Sequence, residues 1–306
     1  MPSCCNFTES RNRCLRSTFI KCGLRSTTTD LKDGSIIHCW VPKTQDQHRP
    51  NLLLIHGFGT NALWQWGNAI RLFTSHFNVY VPDLVFFGDS ITTRPERSDS
   101  FQAECIMRVM AANSVQKLSL IGLSYGGFVG YCLAARYREV VERVVICGAG
   151  VCMEEKDLRE GLFRISDLEE AANILVPQDP KKLKELVKFA LFRPPPLRLL
   201  PSCLLADFIQ AMCSEYVEEK RELIKAIPKD RRLSDIPKIQ QPTLIIWGEG
   251  DKVFPLEMGY RLKRHLEESA QLVVIKNAGH ACDLEKPKEY YQHLKSFLGI
   301  KQQNHK

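Results

Sequence analysis

The sequence predicts an α/β protein: a mostly parallel central sheet flanked by helices, with a helical segment inserted after the sixth strand. Three observations carry this. Six short runs are apolar at consecutive positions rather than alternating, as in strands covered on both faces. Stretches of helical period, such as 127–137 and 258–266, lie between most of them, which implies right-handed crossovers. No strand pattern occurs in residues 151–237.

Taken in order, residues 24–31 and 35–41 read as a hairpin closed by Lys32-Asp33-Gly34, because Asp-Gly suits a tight turn. The apolar runs follow at 52–55, 79–82, 118–121, 144–147, 243–247 and 272–275. The interval between the fourth and fifth of these reads as helices at 166–176, 180–192 and 201–226, punctuated by Pro194-Pro195-Pro196. The expected organisation is an N-terminal segment (1–23), a first part of the core (24–150), a helical cap (151–237) and a second part of the core (238–306). Residues 11–20 carry Arg11, Arg13 and Arg16 among apolar side chains. They suggest a short amphipathic helix, either packed on the domain, the favoured reading, or in peripheral contact with a membrane.

Of the 306 residues, 44% are hydrophobic and 25% charged, ordinary for a globular chain. The net charge of +7 is spread among acids, as in Glu218-Glu219-Lys220-Arg221-Glu222, and reads as solvated surface. With no dense basic block, a nucleic-acid partner is not expected. The 12 cysteines show no metal-ligand spacing and fit free thiols in a reducing, cytoplasmic setting. Acylation of Cys4, Cys5 or Cys14 would add a membrane contact. No run is long enough to span a bilayer, and the first 20 residues lack a signal-peptide core. A monomer is expected.

Four motifs sit just past apolar runs. Gly122-Leu123-Ser124-Tyr125-Gly126-Gly127 joins a strand to a helix, the setting of a nucleophile elbow. Glycine at both flanks permits the tight turn, and the helix dipole at Ser124 favours developing negative charge. The motif alone also describes a plain turn with a capping serine. His56-Gly57-Phe58-Gly59 leaves backbone amides free, so the N–H groups of Phe58 and Tyr125 are the expected oxyanion donors. The imidazole of His56 is read as structural. Trp247-Gly248-Glu249-Gly250-Asp251 places Asp251 where an orienting carboxylate belongs, with Glu249 and Asp83 as rivals and a helix N-cap as the plain alternative. Asn277-Ala278-Gly279-His280 ends on His280, which could equally be a surface histidine. The order Ser124, Asp251, His280, each after a strand, makes convergence at one sheet edge the expectation.

These stretches, with Val81-Pro82-Asp83-Leu84 and Phe87-Gly88-Asp89-Ser90, resemble the α/β-hydrolase superfamily over nearly the whole chain. More narrowly, the chain is similar to capped plant serine hydrolases of the monoacylglycerol-lipase-like and meta-cleavage-product-hydrolase-like kinds. The resemblance implies Ser124, Asp251 and His280 as catalytic triad and Phe58 and Tyr125 as oxyanion donors, with no metal or organic cofactor. The loop Phe86-Phe87-Gly88-Asp89-Ser90 departs from the Gly-x-Gly-x-Ser of many relatives and predicts a bulkier pocket floor. Serine at 124 argues against the related epoxide hydrolases and dehalogenases, which use a carboxylate nucleophile.

The expected substrate is a small lipophilic ester or monoacylglycerol. Candidate pocket residues are Gly57, Trp64, Phe163, Phe189, Phe208 and Phe254, with Trp66, Leu162, Leu186, Phe192 and Met212 as further apolar candidates. Two alternatives stand beside it. One is carbon–carbon hydrolysis of a diketone acid whose carboxylate is held by Arg193 or Arg198. The other is a slow- or non-turnover ligand receptor on the same scaffold.

Overall fold

The computed structural model describes residues 6–300. Nine strands form one sheet: β1 (Leu24–Asp30), β2 (Ser35–Pro42), β3 (Asn51–Ile55), β4 (Asn78–Pro82), β5 (Ile91–Thr92), β6 (Leu118–Leu123), β7 (Val141–Cys147), β8 (Thr243–Gly248) and β9 (Ala270–Ile275). Their order is β1-β2-β4-β3-β6-β7-β8-β9, with β5 on β2. The six strands from β4 to β9 along this order pair in parallel, and β2 is antiparallel to β1, β4 and β5.

The unbroken apolar runs are explained by the two faces. Leu53, Ile55, Leu120, Val144, Ile146 and Ile245 point into one buried cluster. Leu52, Leu54, Ile121, Val145, Leu244 and Ile246 point into another. Alternate side chains are thus buried on opposite sides, so no residue of these runs needs to be polar. From β3 the chain winds toward β4 on one side. From β6 it winds through β7, β8 and β9 on the other. The switch point lies between β3 and β6, where open α/β sheets leave a crevice at the strands' carboxyl ends.

The strand count differs by one from expectation. Ile91–Thr92 pairs with Ser35–Ile36 and inserts as β5, so the helical segment follows β7. Two residues carry no periodic signal, and this strand exists only because the chain returns along β2.

The helical segment comprises Glu155–Arg159, Leu168–Leu175, Pro180–Ala190, Ser202–Met212 and Val217–Ala226. Asp167 and Asp179 cap the second and third by accepting backbone N–H bonds. The continuous helix expected over 201–226 is two helices. The helix breaks before Tyr216, which takes a left-handed φ of 50° with its ring near Phe86. The reading of 218–222 as solvated surface also fails at Lys220. Its stem is buried, and its ammonium donates to the Met212 carbonyl at 3.2 Å and lies over the Phe87 ring.

The N-terminal helix runs Phe7–Lys21 and is packed on the domain. Leu15 and Phe19 are buried, with Phe19 against Trp40 at 5.1 Å between ring centroids. The Thr8 N–H donates to Asp207 at 2.7 Å, tying this helix to Ser202–Met212. None of the described helices is long and apolar enough to cross a membrane. The ten described cysteines are free, and Cys4 and Cys5 lie outside the described residues.

Candidate active site

Ser124 joins β6 to the helix Tyr125–Arg136 with φ 51° and ψ −120°, a conformation costly for a residue with a side chain. Its flanking glycines are required by contact. A Cβ at Gly122 would lie 2.3 Å from the Gly126 carbonyl oxygen, and one at Gly126 would lie 2.5 Å from that of His56. The elbow is therefore pressed against both its own helix and the loop after β3.

That loop supplies the second wall. A Cβ at Gly57 would sit 3.1 Å from the Ser124 Cβ. Among the described residues the Phe58 N–H meets no protein acceptor. Tyr125 opens its helix, where N–H groups lack partners within the helix. His56 is buried: its Nδ1 bonds the Gly57 carbonyl at 2.8 Å and its Nε2 accepts the Leu84 N–H at 3.0 Å. Burial, the largest influence, lowers its pKa. It is a neutral strut that holds the loop, with both ring nitrogens committed.

Asp251 and His280 follow β8 and β9. The His280 Nδ1–H donates to Asp251 Oδ2 at 2.8 Å, and the Ser124 hydroxyl donates to His280 Nε2 at 2.9 Å. Those donor roles follow from an ionised carboxylate that can only accept. Asp251 Oδ1 accepts the N–H groups of Val253 and Phe254 at 2.8 and 2.9 Å. The turn-capping role weighed against it is thus filled by its other oxygen. For His280, burial acts downward on the pKa, but the charge and hydrogen bond of Asp251, with Asp283 behind them, outweigh it and the net shift is upward.

Neither rival acid reaches His280. Glu249 accepts the Asn277 N–H at 3.1 Å. Asp83 bonds His38 at 2.7 Å and the Ala62 N–H at 2.8 Å, and together with Ser26, 2.8 Å from His38, it makes a second Ser-His-Asp string. Ser26 lies within β1, with neither a glycine turn nor a helix N-terminus beside it to receive an oxyanion.

Ser124 and His280 open into a cavity of about 290 Å³ that Gly57, Phe58, Trp64 and Phe208 also line. A second chamber of about 80 Å³ is lined by Phe163, Phe189 and Phe254. Leu175 and Val253 line both, so the expected pocket residues divide between two adjoining spaces. Leu186 joins the first. Trp66 is instead core, Met212 packs helices together, Leu162 packs on the core, and Phe192 sits over the Gly250 and Gly279 backbone. Phe86 and Phe87 do not form a bulkier floor. Phe87 backs His56 and Phe58 at 5.2 and 5.1 Å, and Phe86 turns to Tyr216 and Arg97.

Sequence reasoning missed Glu285, which binds the His280 loop to the helical segment. Its carboxylate accepts the N–H groups of Gly279 at 2.6 Å, Phe192 at 3.1 Å and Arg193 at 3.0 Å. An acid five residues past a histidine reads as surface until the chain folds back on it. Asp283 and Gln65, in the cavity wall, were missed likewise.

A serine on a strained strand-to-helix turn at a sheet switch point, a hydrogen-bonded Ser-His-Asp string and a helical segment lining the cavity beside it define the class of α/β hydrolases. Residues 52–293 match the model of the alpha/beta hydrolase family, and the chain belongs to that family. It is 24% identical to the monoacylglycerol lipase ABHD6 of Bos taurus over 274 residues, covering 85% of this chain and 78% of that one. It is 29% identical over 264 residues to a 2-hydroxy-6-oxo-2,4-heptadienoate hydrolase of Pseudomonas putida, covering 81% and 88%. The solved structure of a bacterial membrane phospholipase A superposes with a TM-score of 0.76 at 28% identity, covering 95% of this chain and 90% of that one.

Proposed function

We propose that this protein is a serine hydrolase that cleaves lipophilic carboxylic esters through an acyl-enzyme. The observation that carries the reading is the unbroken hydrogen-bonded string from Asp251 through His280 to Ser124, opening into a mainly apolar cavity. His280 takes the Ser124 proton as the oxygen attacks the ester carbonyl. Asp251 holds the reactive tautomer and stabilises the imidazolium. The amides of Phe58 and Tyr125 receive the oxyanion. His280 then protonates the departing alcohol and activates the water that releases the acyl group.

The cavity chemistry favours esters over diketone acids. Among the described residues, no Lys or Arg lines either chamber. Arg193 stacks on Phe192, and Arg198 faces a separate hollow with Lys184 and Lys188. A substrate carboxylate would enter such a space without a cation to meet it, at a cost of several kcal/mol.

A fluorophosphonate probe should label the protein at Ser124, and p-nitrophenyl octanoate should turn over faster than the acetate. Absence of label on the wild type, or equal label on Ser124→Ala, overturns the serine mechanism. A preference for acetate overturns the lipophilic substrate. Binding of an ester with one slow turnover would move the reading to the receptor alternative.

The base must be neutral to act, and its pKa lies above the ordinary histidine value. Activity should therefore rise with pH, with a midpoint in kcat/KM above about 6.5. A midpoint below that value would contradict the influence assigned to Asp251.

A further inference from the structure

Two aromatic rings in the wall of the Ser124 cavity come from different parts of the chain. Trp64 stands on the core helix Ala62–Trp66, and Phe208 on the helix Ser202–Met212 of the helical segment. Their centroids are 5.4 Å apart, edge to face. Trp40, Trp66 and Trp247 are fully buried and fixed by packing, whereas Trp64 is only partly buried. The helix that carries it has 5 residues, too few to hold a geometry of its own. The direction of the Trp64 ring therefore depends on a few contacts. One of them is a hydrogen bond that the Trp64 Nε1–H donates to Asn12 Oδ1.

Asn12 belongs to the N-terminal helix, and the same helix holds the support of the other ring. The Thr8 N–H donates to Asp207 Oδ2 at 2.7 Å, next to Phe208 in the chain, so a carboxylate of the helical segment meets the N-terminus of Phe7–Lys21. Thr8, Asn12, Leu15 and Phe19 recur at helical spacing and share one face. Leu15 fills the space that a Cβ at Gly67 would need, just past the helix of Trp64, and Phe19 packs on Trp40. One half of this face is thus anchored in the core. The other half reaches Trp64 directly and Phe208 through Asp207.

On the reading of this site as an esterase, we infer that the N-terminal helix is part of the substrate site: Asn12 is a positioning residue that holds Trp64 against Phe208, and this strap limits the girth of the ester that the Ser124 cavity accepts. With Asn12 in place, the indole N–H meets a protein acceptor while its ring lies in the wall. Without it, the partly exposed ring finds water in other orientations as well, and the wall yields. Asp207 acts likewise for Phe208, whose helix belongs to the helical segment while Trp64 stays with the core. A slim ester fits either wall, and a wide one fits only the slack wall. The helix therefore acts on selectivity rather than on the bond-breaking groups.

The test takes two ratios of kcat/KM, slim ester over wide. One varies the acyl group, p-nitrophenyl octanoate against p-nitrophenyl cyclohexylacetate. The other varies the alcohol, hexyl octanoate against cyclohexyl octanoate. Trp64→Ala should lower at least one ratio about tenfold, which shows the side of the ester that the wall confronts. Asn12→Leu should lower the same ratio several-fold. Asn12→Asp, which keeps an acceptor for the indole, should retain the wild-type value. In the Trp64→Ala background Asn12→Leu should change nothing further, because its effect passes through that ring. A general loss of stability slows both esters alike and cancels in the ratio. Asp207→Ala should lower the ratio too, and it reads the strap even if Asn12→Leu does not fold. Wild-type ratios in both Asn12→Leu and Asp207→Ala, or an Asn12→Leu effect that persists without Trp64, overturn the inference while leaving the esterase intact. Failure of the wild type to hydrolyse p-nitrophenyl octanoate removes the esterase reading, and the limit on girth with it.

Discussion

Ser124→Ala is expected to lower kcat for ester hydrolysis by about 10⁴- to 10⁶-fold, the range seen when a nucleophile of this kind is removed. His280→Ala should cost about as much, and the double variant should lose little more. The reason is that the hydroxyl and imidazole act as one unit joined at 2.9 Å, so removing either leaves only the oxyanion donors and substrate binding. Asp251→Asn should cost about 10⁴-fold, because its amide can no longer hold the Nδ1–H tautomer. It should leave the fold largely intact, since the Val253 and Phe254 amides still find the side-chain oxygen. The measurement is steady-state kinetics on one ester across the four variants. Losses that multiply, rather than saturate, would show that Ser124 and His280 act separately and would end the triad reading.

Gly248→Ala is expected to damage both stability and activity although it touches no reacting group. Gly248 ends β8, and a Cβ there would lie 2.0 Å from the Gly279 carbonyl oxygen and 2.7 Å from that of Ala278. Both are backbone atoms of the loop that carries His280, so no side chain can yield. The loops after β8 and β9 are laced by Glu249 N–H to Ile275 O at 3.0 Å and Gly250 N–H to Ala278 O at 2.8 Å. Relief of the clash must spread these loops, which separates Asp251 from His280. Overpacking of this kind costs about 1–3 kcal/mol, and a misplacement of about 1 Å at a catalytic group costs about 10²-fold in rate. Thermal melting and kcat/KM would both fall. A variant with wild-type values of both would show that the loops are not held by this contact.

Much of the site could be read along the chain, because each piece obeys a local rule. Ser124 needs glycine on both sides for steric reasons that act within a few residues, and the strand before it and helix after it are each legible by period. The same holds for the hairpin at Asp33-Gly34. Features that depend on distant partners were not legible. Lys220 carries the same local signature as its solvated neighbours, yet Phe87 and the Met212 carbonyl bury it. Phe86 and Phe87 have the size of pocket-floor residues, but their rings turn toward His56, Phe58, Tyr216 and Arg97. The break at Tyr216 lies inside a stretch of continuous helical period.

The alternation of strands and helices and the sites of the three catalytic candidates follow from the local pattern of residues, because sterics and hydrophobic period act over a few positions. Which acid meets His280 is settled by the folded chain, since Glu249 and Asp251 differ by two positions and are told apart by where their oxygens point. It also settled how the apolar side chains divide between two chambers and core, and it brought Glu285 to the amides of Gly279, Phe192 and Arg193, a role that no neighbouring residue foreshadows. Those choices are contacts between segments far apart in the chain, and the local pattern around each residue holds no record of them.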